Sequence, residues 1–428
     1  MERGTKYLLT STLRALHAAN ARAPFARSGP ASVPSFMFGL PGSELPREHM
    51  VAHAASAAVA LARGTHRSAA GKLGLALTAG SIAALWRTHQ QAADAEDIVE
   101  RALVDQLGAD YRQRMAESPA EATTTKLPTY PTRAVRRRYV DGGHIQYGEF
   151  GKRTTLDVWK RPDLPADAGA PVIVQVHGGA WVLGDKEGQA YPLMAHLAER
   201  GWVCVSVTYR LSPRATWPDH IVDLKRALAW VKDNIADHGG DPSWLALTGG
   251  SAGGHLCALA ALTPNEPEFQ PGFEDADTAV QAAVPFYGVY DWTNRDGTGR
   301  DDLLDLLVDR VVKQPYDSAT AVYEKASPMS HISADAVPMM LLHGTNDSLV
   351  PIAQARSMVD MLRAESRSPV VYVEYPGAQH AFDVFASTRT KAAVAGIERF
   401  LNVARGQAGQ HVHESNGHRR SAQGSPTT

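Results

Sequence analysis

Residues 244–256, WLALTGGSAGGHL, restrict the fold more than any other stretch of the chain. A short apolar run at 245–248 meets the turn GGSAGG at 249–254, and the chain then enters the helical pattern HLCALAAL. Strand, tight glycine turn and helix is the setting of a nucleophile elbow. There a serine sits on a strained turn with its Oγ exposed above a sheet edge. Glycines two places to either side let neighbouring backbone pass close by. The five-residue pattern alone is weak, because glycine and serine are frequent in any chain. Its meaning depends on what the other strand ends supply.

The chain has 428 residues, 44% of them hydrophobic, and a formal net charge of −2. That suffices for one large α/β domain and an additional region. Near-neutral charge lacks the basic footprint of a nucleic-acid binder, so no nucleic-acid partner is expected. Cys204 and Cys257 lie in apolar strand and helix patterns and read as buried small hydrophobes, not as a disulfide or redox pair. The 17 histidines show no H-E-x-x-H or comparable spacing, and no metal site is expected.

Residues 1–125 are rich in alanine and arginine, lack strand alternation and read as a helical N-terminal extension. Two apolar stretches stand out, 50–62 and 73–86. The second is uncharged but falls short of the ~20 residues that cross a bilayer. It is either a buried helix in a helical subdomain or oligomer contact, or an interfacial helix that touches membrane and reaches lipid substrates. Arg14 breaks the first apolar run and no small-residue cleavage pattern follows, which argues against a signal peptide. The expected location is cytoplasmic, with membrane association open. Ala95, Ile98, Val99, Ala102, Leu103 and Leu107 recur at helical spacing within 92–115. Residues 118–133, with three prolines, read as a linker. The triplet Arg136-Arg137-Arg138 reads as a solvated face sooner than as an anionic-membrane contact.

From 126 to 405 strand-like runs occur at 144–147, 155–159, 172–176, 203–207, 245–248, 282–287, 339–343 and 370–375, with helical patterns between most of them. This alternation predicts an α/β domain: a mostly parallel, doubly wound eight-stranded sheet with helices on both faces. Residues 288–336 interrupt it. Leu303, Leu304, Leu307, Val308 and Val311 share a face there, fit for a lid, a pocket wall or a plain packing helix. Residues 406–428 are polar, without apolar period, and are expected to be a disordered tail.

A serine hydroxyl needs a general base and a carboxylate that holds the base in the right tautomer. In this strand order the acid belongs after the 339–343 strand and the histidine after the last strand. HGTNDSLVP places Asp347 in the first position, and YPGAQHAF places His380 in the second. Asp347 could instead only cap the following helix, and His380 could be an ordinary loop histidine. Asp383 lies on the wrong side of its loop to replace Asp347. The 172–176 strand runs into HGGAW, whose glycines can aim backbone N–H groups at a developing oxyanion. The expected donors are Gly178, Gly179 and Ala252.

With HGGAW at 177–181, YRLSP at 209–213, HGGDP at 238–242, GGSAGGHL at 249–256, HGTND at 343–347 and GAQHAF at 377–382, the chain resembles bacterial carboxylesterases related to hormone-sensitive lipase. The resemblance implies an α/β-hydrolase fold, a Ser251–Asp347–His380 triad, an oxyanion hole from Gly178, Gly179 and Ala252, and no cofactor. It further implies hydrolysis of short- to medium-chain acyl esters, with a small-molecule ester as partner. Two residues depart from the usual pattern: Ala180 replaces the last glycine of HGGG, and Gly250 stands where aspartate is frequent. The GGSAGGHL form also looks like feruloyl esterases and kynurenine formamidases. A formamidase-type amidohydrolase and a non-catalytic binding protein are therefore the alternatives. The motifs do not cover the first 125 residues, for which actinobacterial lipase-like esterases with a similar extension offer the nearest likeness.

Overall fold

The computed structural model describes residues 2–120 and 133–422. Four helices, α1 (Arg3–Arg22), α2 (Ser32–Glu44), α3 (Pro46–Ala62) and α4 (Ala69–Ala93), form an N-terminal layer. α1 and α4 meet through small residues, Gly4 lying against Ser68 and Gly71, and Gly74 against Tyr7 and Leu8. After a break at Asp94 comes α5 (Ala95–Leu107), whose buried stripe is Ala95, Val99, Leu103 and Leu107. This amphipathic helix packs beneath the sheet, in one cluster with Met340, Val371 and Ile397. Apolar periodicity located the helix, but could not say which core would receive it. Most of the linker read at 118–133 lies outside the described residues. In α6 (Arg133–Tyr139), Arg136 pairs with Asp157 at 2.7 Å and Arg138 with Glu199 at 3.1 Å.

The strands are β1 (Val140–Gln146), β2 (Thr155–Trp159), β3 (Ala170–Val176), β4 (Val203–Val207), β5 (Gly240–Gly250), β6 (Ala282–Phe286), β7 (Met339–Gly344) and β8 (Val370–Tyr375). They form one eight-stranded sheet in the order β1-β2-β4-β3-β5-β6-β7-β8. β2 runs antiparallel to β1 and β4, and all other pairs are parallel. The expected mostly parallel eight-stranded sheet is present, with β2 as its antiparallel member. Strands covered on both faces have no polar side to present, which explains why β3 and β4 are apolar except for Gln175 and Ser206 and buried throughout.

One face carries α8 (Asp219–Asn234), α9 (Ala252–Leu262) and α12 (Ile352–Glu365); the other carries α5, α7 (Tyr191–Glu199) and α13 (Thr388–Ala422). The sequence places the helix end near 403 and a disordered tail from 406, whereas α13 is helical through Ala422. No proline interrupts it, and Gly406 allows close approach to the Arg114 carbonyl. The insertion contains α10 (Asp301–Leu306) and α11 (Thr320–Ala326). Leu303 and Leu306 face a cavity, while Leu307 and Val311 are buried in the core, so this segment both walls and packs.

Candidate active site

The strand order reverses around β3, which lies between β4 and β5. Ligands of open α/β sheets bind outside the carboxyl ends of strands at such a point. A cavity of about 620 Å³ opens there, and Gly178, Gly179, Ser251, Ala252 and His380 all line it.

Ser251 is the single residue between β5 and α9, at φ 60° and ψ −122°. A side chain held at positive φ stores strain that the surroundings must overcome. Its N–H donates to Phe286 O at 3.0 Å, and its carbonyl accepts from His255 N at 2.9 Å. At Gly253 a Cβ would come within 2.2 Å of Val176 O, so α9 can start this close to β3 only with glycine there. A Cβ at Gly250 would meet the Tyr287 ring, a physical reason for glycine at this position.

His380 Nδ1 lies 2.7 Å from Asp347 Oδ2. Asp347 Oδ1 meanwhile accepts from the N–H groups of Leu349 and Val350, both at 2.8 Å. The capping role and the histidine-orienting geometry therefore coexist on one carboxylate, each on its own oxygen. Burial works to raise the Asp347 pKa. The His380 charge and the hydrogen bonds from His343 and His380 outweigh it and hold the carboxyl well below the ordinary range. His343 reaches Asp347 Oδ2 at 3.2 Å and Val350 O at 3.1 Å through Nε2. Both neighbours accept, so Nε2 carries the proton.

Asp383 also borders the cavity, but its hydrogen-bond partner is the Tyr287 hydroxyl. Burial raises the Asp383 pKa, and burial with the Asp383 charge pushes Tyr287 well above its usual value. The Tyr287 ring lies 4.5 Å from that of His380, and Phe36 of α2 meets His380 edge-on at 5.7 Å. The N-terminal layer thus reaches the candidate base directly.

In the HGGAW turn, Gly178 N–H is already engaged, donating to Gln189 Oε1 at 2.7 Å. The N–H groups of Gly179 and Ala180 have no acceptor among the described residues. Ala252 occupies the first helical position, where the helix itself supplies none. His177 anchors the turn from below: its Nδ1 is 2.8 Å from Gly178 O and its ring stacks on Tyr209 at 4.3 Å. Burial lowers its pKa to about 4, keeping it neutral. The sequence reading missed Gln189, His343, Tyr287 and Phe36 as site residues. His343, four residues before Asp347 in a quoted motif, was the one with a local signal.

The BD-FAE family model matches residues 156–362. The probable carboxylic ester hydrolase LipM of Mycobacterium tuberculosis is 50% identical over 400 residues, 92% of this chain and 92% of the relative. The chain belongs to this family of carboxylic ester hydrolases. Esterase LipQ of the same organism is 45% identical over 75% of this chain and 77% of its own length. The solved esterase Est2 of Thermogutta terrifontis is 27% identical with a TM-score of 0.50, covering 59% of this chain and 88% of that one. Its form phosphoramylated by tabun gives 26% and 0.51, over 60% and 92%. The catalytic domain has the α/β-hydrolase fold of these esterases. The LipM alignment covers 92% of this chain, so it extends over most of the N-terminal layer as well.

Proposed function

We propose that Ser251, His380 and Asp347 form the catalytic triad of this serine carboxylesterase. The observation that carries the assignment is the 2.7 Å contact between His380 Nδ1 and Asp347 Oδ2, behind a cavity that His380 shares with the strained Ser251. With Nδ1 committed to the carboxylate, Nε2 is the nitrogen left to take the Ser251 proton. Ser251 Oγ attacks the ester carbonyl, and His380 then protonates the departing alkoxide. Water deprotonated by His380 opens the acyl-enzyme and releases the acid. The unengaged N–H groups of Gly179 and Ala252 are the oxyanion donors available in the resting state. Gly178 joins them only when Gln189 lets go.

Val33, Phe36, Met37, Leu303 and Leu306 give the cavity apolar walls, and its volume of about 620 Å³ suits short to medium acyl chains. A butyrate-bound form of the Thermogutta esterase, 26% identical with a TM-score of 0.50, is consistent with that range. Of the two remaining partner readings, self-association and membrane contact, the outward-facing side chains of α1, α3 and α4 favour membrane contact. Ser251→Ala should lower kcat for p-nitrophenyl butyrate by about 10⁴ or more and abolish fluorophosphonate labelling. Near-normal turnover by that variant would sink the triad.

A further inference from the structure

The N-terminal layer is built inside out. α4 buries Gly71, Gly74, Thr78, Ser81 and Thr88 with one large apolar side chain among them, Leu85, while its Leu73 and Trp86 are 53% and 52% exposed. α1 buries Gly4, Ser11 and Ala18, while its Leu9 and Leu13 are 53% and 63% exposed. Helices folding against water do the opposite, since large apolar side chains gain most by leaving it. Between the two helices a hydroxyl chain links Tyr7, Thr78 and Ser11 at 3.0 and 3.1 Å. Small residues at the crossing and hydroxyl bonds across it are the packing habit of helices in lipid. Of the fourteen large apolar side chains exposed among the described residues, twelve lie between Leu9 and Trp86. Such concentration marks an interaction surface, whereas isolated exposed apolar residues need no explanation.

Charge identifies the occupant. Residues 1–93 hold ten Lys and Arg against three Asp and Glu, a formal +7 in a chain of net −2. Because the start of α1 lies against the turn between α3 and α4, Arg3, Lys6, Arg63, Arg67 and Lys72 gather at one end. All five are exposed, and none forms an ion pair among the described residues. A second copy meeting this face would set +7 against +7.

We infer that the layer docks on an anionic lipid bilayer, with α1, α3 and α4 seating their apolar side chains at the acyl boundary and the cations on headgroup phosphates. The uncharged window 73–86 measures ~21 Å at ~1.5 Å per residue, short of the ~30 Å hydrocarbon core, so the helices lie in the interface. Among the described residues the run Ala69–Leu107 is the one long and apolar enough to cross, and its last 13 residues, α5, are locked beneath the sheet, which ties the end of α4 to the hydrolase domain. The orientation is set at the other end of the layer. Arg27 donates to Thr345 O and Asn346 Oδ1 at 2.9 and 3.0 Å, and Glu44 pairs with Arg389 at 3.1 Å in full burial.

The apolar face continues into the site. Val33 and Met37 of α2 line the cavity yet are 54% and 63% exposed, and Phe36 between them touches His380. Resting on the esterase and membrane-contact readings above, this makes the substrate an ester that partitions into lipid and enters from the bilayer side.

The test is flotation of the full-length protein with vesicles of phosphatidylcholine alone or mixed equally with phosphatidylglycerol. Wild type should float with the anionic vesicles and at least tenfold less with the neutral ones. Leu9→Asp/Leu73→Asp, which alters exposed positions only, should cut the bound fraction at least tenfold and leave p-nitrophenyl butyrate turnover unchanged. Lys6→Glu/Lys72→Glu should erase the preference for anionic lipid. Wild type that stays at the bottom of the gradient, or an aspartate variant that floats equally well, overturns the proposal. So does a wild-type dimer that Leu9→Asp/Leu73→Asp splits while neither form binds vesicles. Flotation needs no turnover, so a failure of membrane binding and a failure of the esterase assignment are separate results.

Discussion

Exchanging Asp347 for asparagine separates the carboxylate that orients His380 from the one that merely stands nearby. The carboxylate uses both oxygens: Oδ1 accepts from two backbone N–H groups at 2.8 Å, and Oδ2 faces His380 Nδ1 at 2.7 Å and His343 Nε2 at 3.2 Å. Asparagine has one acceptor oxygen. Keeping it on Leu349 and Val350 satisfies two donors and turns the amide NH₂ toward both imidazoles. The NH₂ then donates to His380 Nδ1, fixes the proton on Nε2 and leaves Ser251 without a base. A wrong tautomer in such a triad costs about 10⁴ in kcat, or ~5.5 kcal/mol. Asp383→Asn should stay within about tenfold of wild type, because Asp383 accepts from Tyr287. Initial rates on p-nitrophenyl butyrate, normalised by circular dichroism to folded protein, measure both variants. An Asp347→Asn enzyme within tenfold of wild type, or an Asp383→Asn enzyme down by 10⁴, would refute the assignment. Stability supplies a second readout. A carboxyl whose folded pKa is depressed stabilises the fold above its unfolded value of ~3.9 and loses that contribution as pH falls toward the folded value. The stability gap between wild type and Asp347→Asn should be flat above about pH 5 and shrink below about pH 4.

Phe36→Ala removes the cavity wall that touches His380 and should move the acyl-length optimum of p-nitrophenyl esters upward, with butyrate kcat within about tenfold. An unchanged optimum would deny α2 a part in the pocket. Glu44→Ala strands Arg389, which is 1% exposed, and removing one partner of a buried pair costs ~3–5 kcal/mol. Urea unfolding should show a loss of that size. Ala180 sits at φ 51°, in the region glycine favours. Ala180→Gly removes a left-handed cost of ~1–2 kcal/mol and adds ~0.4–1 kcal/mol of unfolded-chain entropy, so urea unfolding should show stability that holds or rises slightly.

What could be read in the sequence was whatever is encoded within a few residues. Buried strands announce themselves as short apolar runs, and each of the eight expected runs became part of a strand. The proposed triad of Ser251, Asp347 and His380 was legible because an elbow, an acid loop and a histidine loop each follow a strand whose place in the sheet is set by chain order. Gln189 and Phe36 were not, for a different reason. Gln189 folds back onto Gly178 from the far end of the same loop with no motif to mark it, and Phe36 reaches His380 from α2, far away in the chain.

The N-terminal helices show the deeper limit of pattern reading. The apolar stretches at 50–62 and 73–86 look alike whether they face a core, another subunit or lipid, because an apolar count carries no direction. Direction came from which residues were left inside. Glycine, serine and threonine predominate at the α1–α4 crossing, with Leu85 the large apolar exception on α4, and Leu9, Leu13, Leu73 and Trp86 are turned out. The same small residues that make these helices poor cores in water let them pack closely, and their outward side chains then need a solvent other than water. Gly71, Gly74, Thr78, Ser81, Leu85 and Thr88 stand at helical spacing on one face of α4. Only its burial shows that the opposite, larger side chains are the ones awaiting a partner, next to the mouth through which Ser251 is reached.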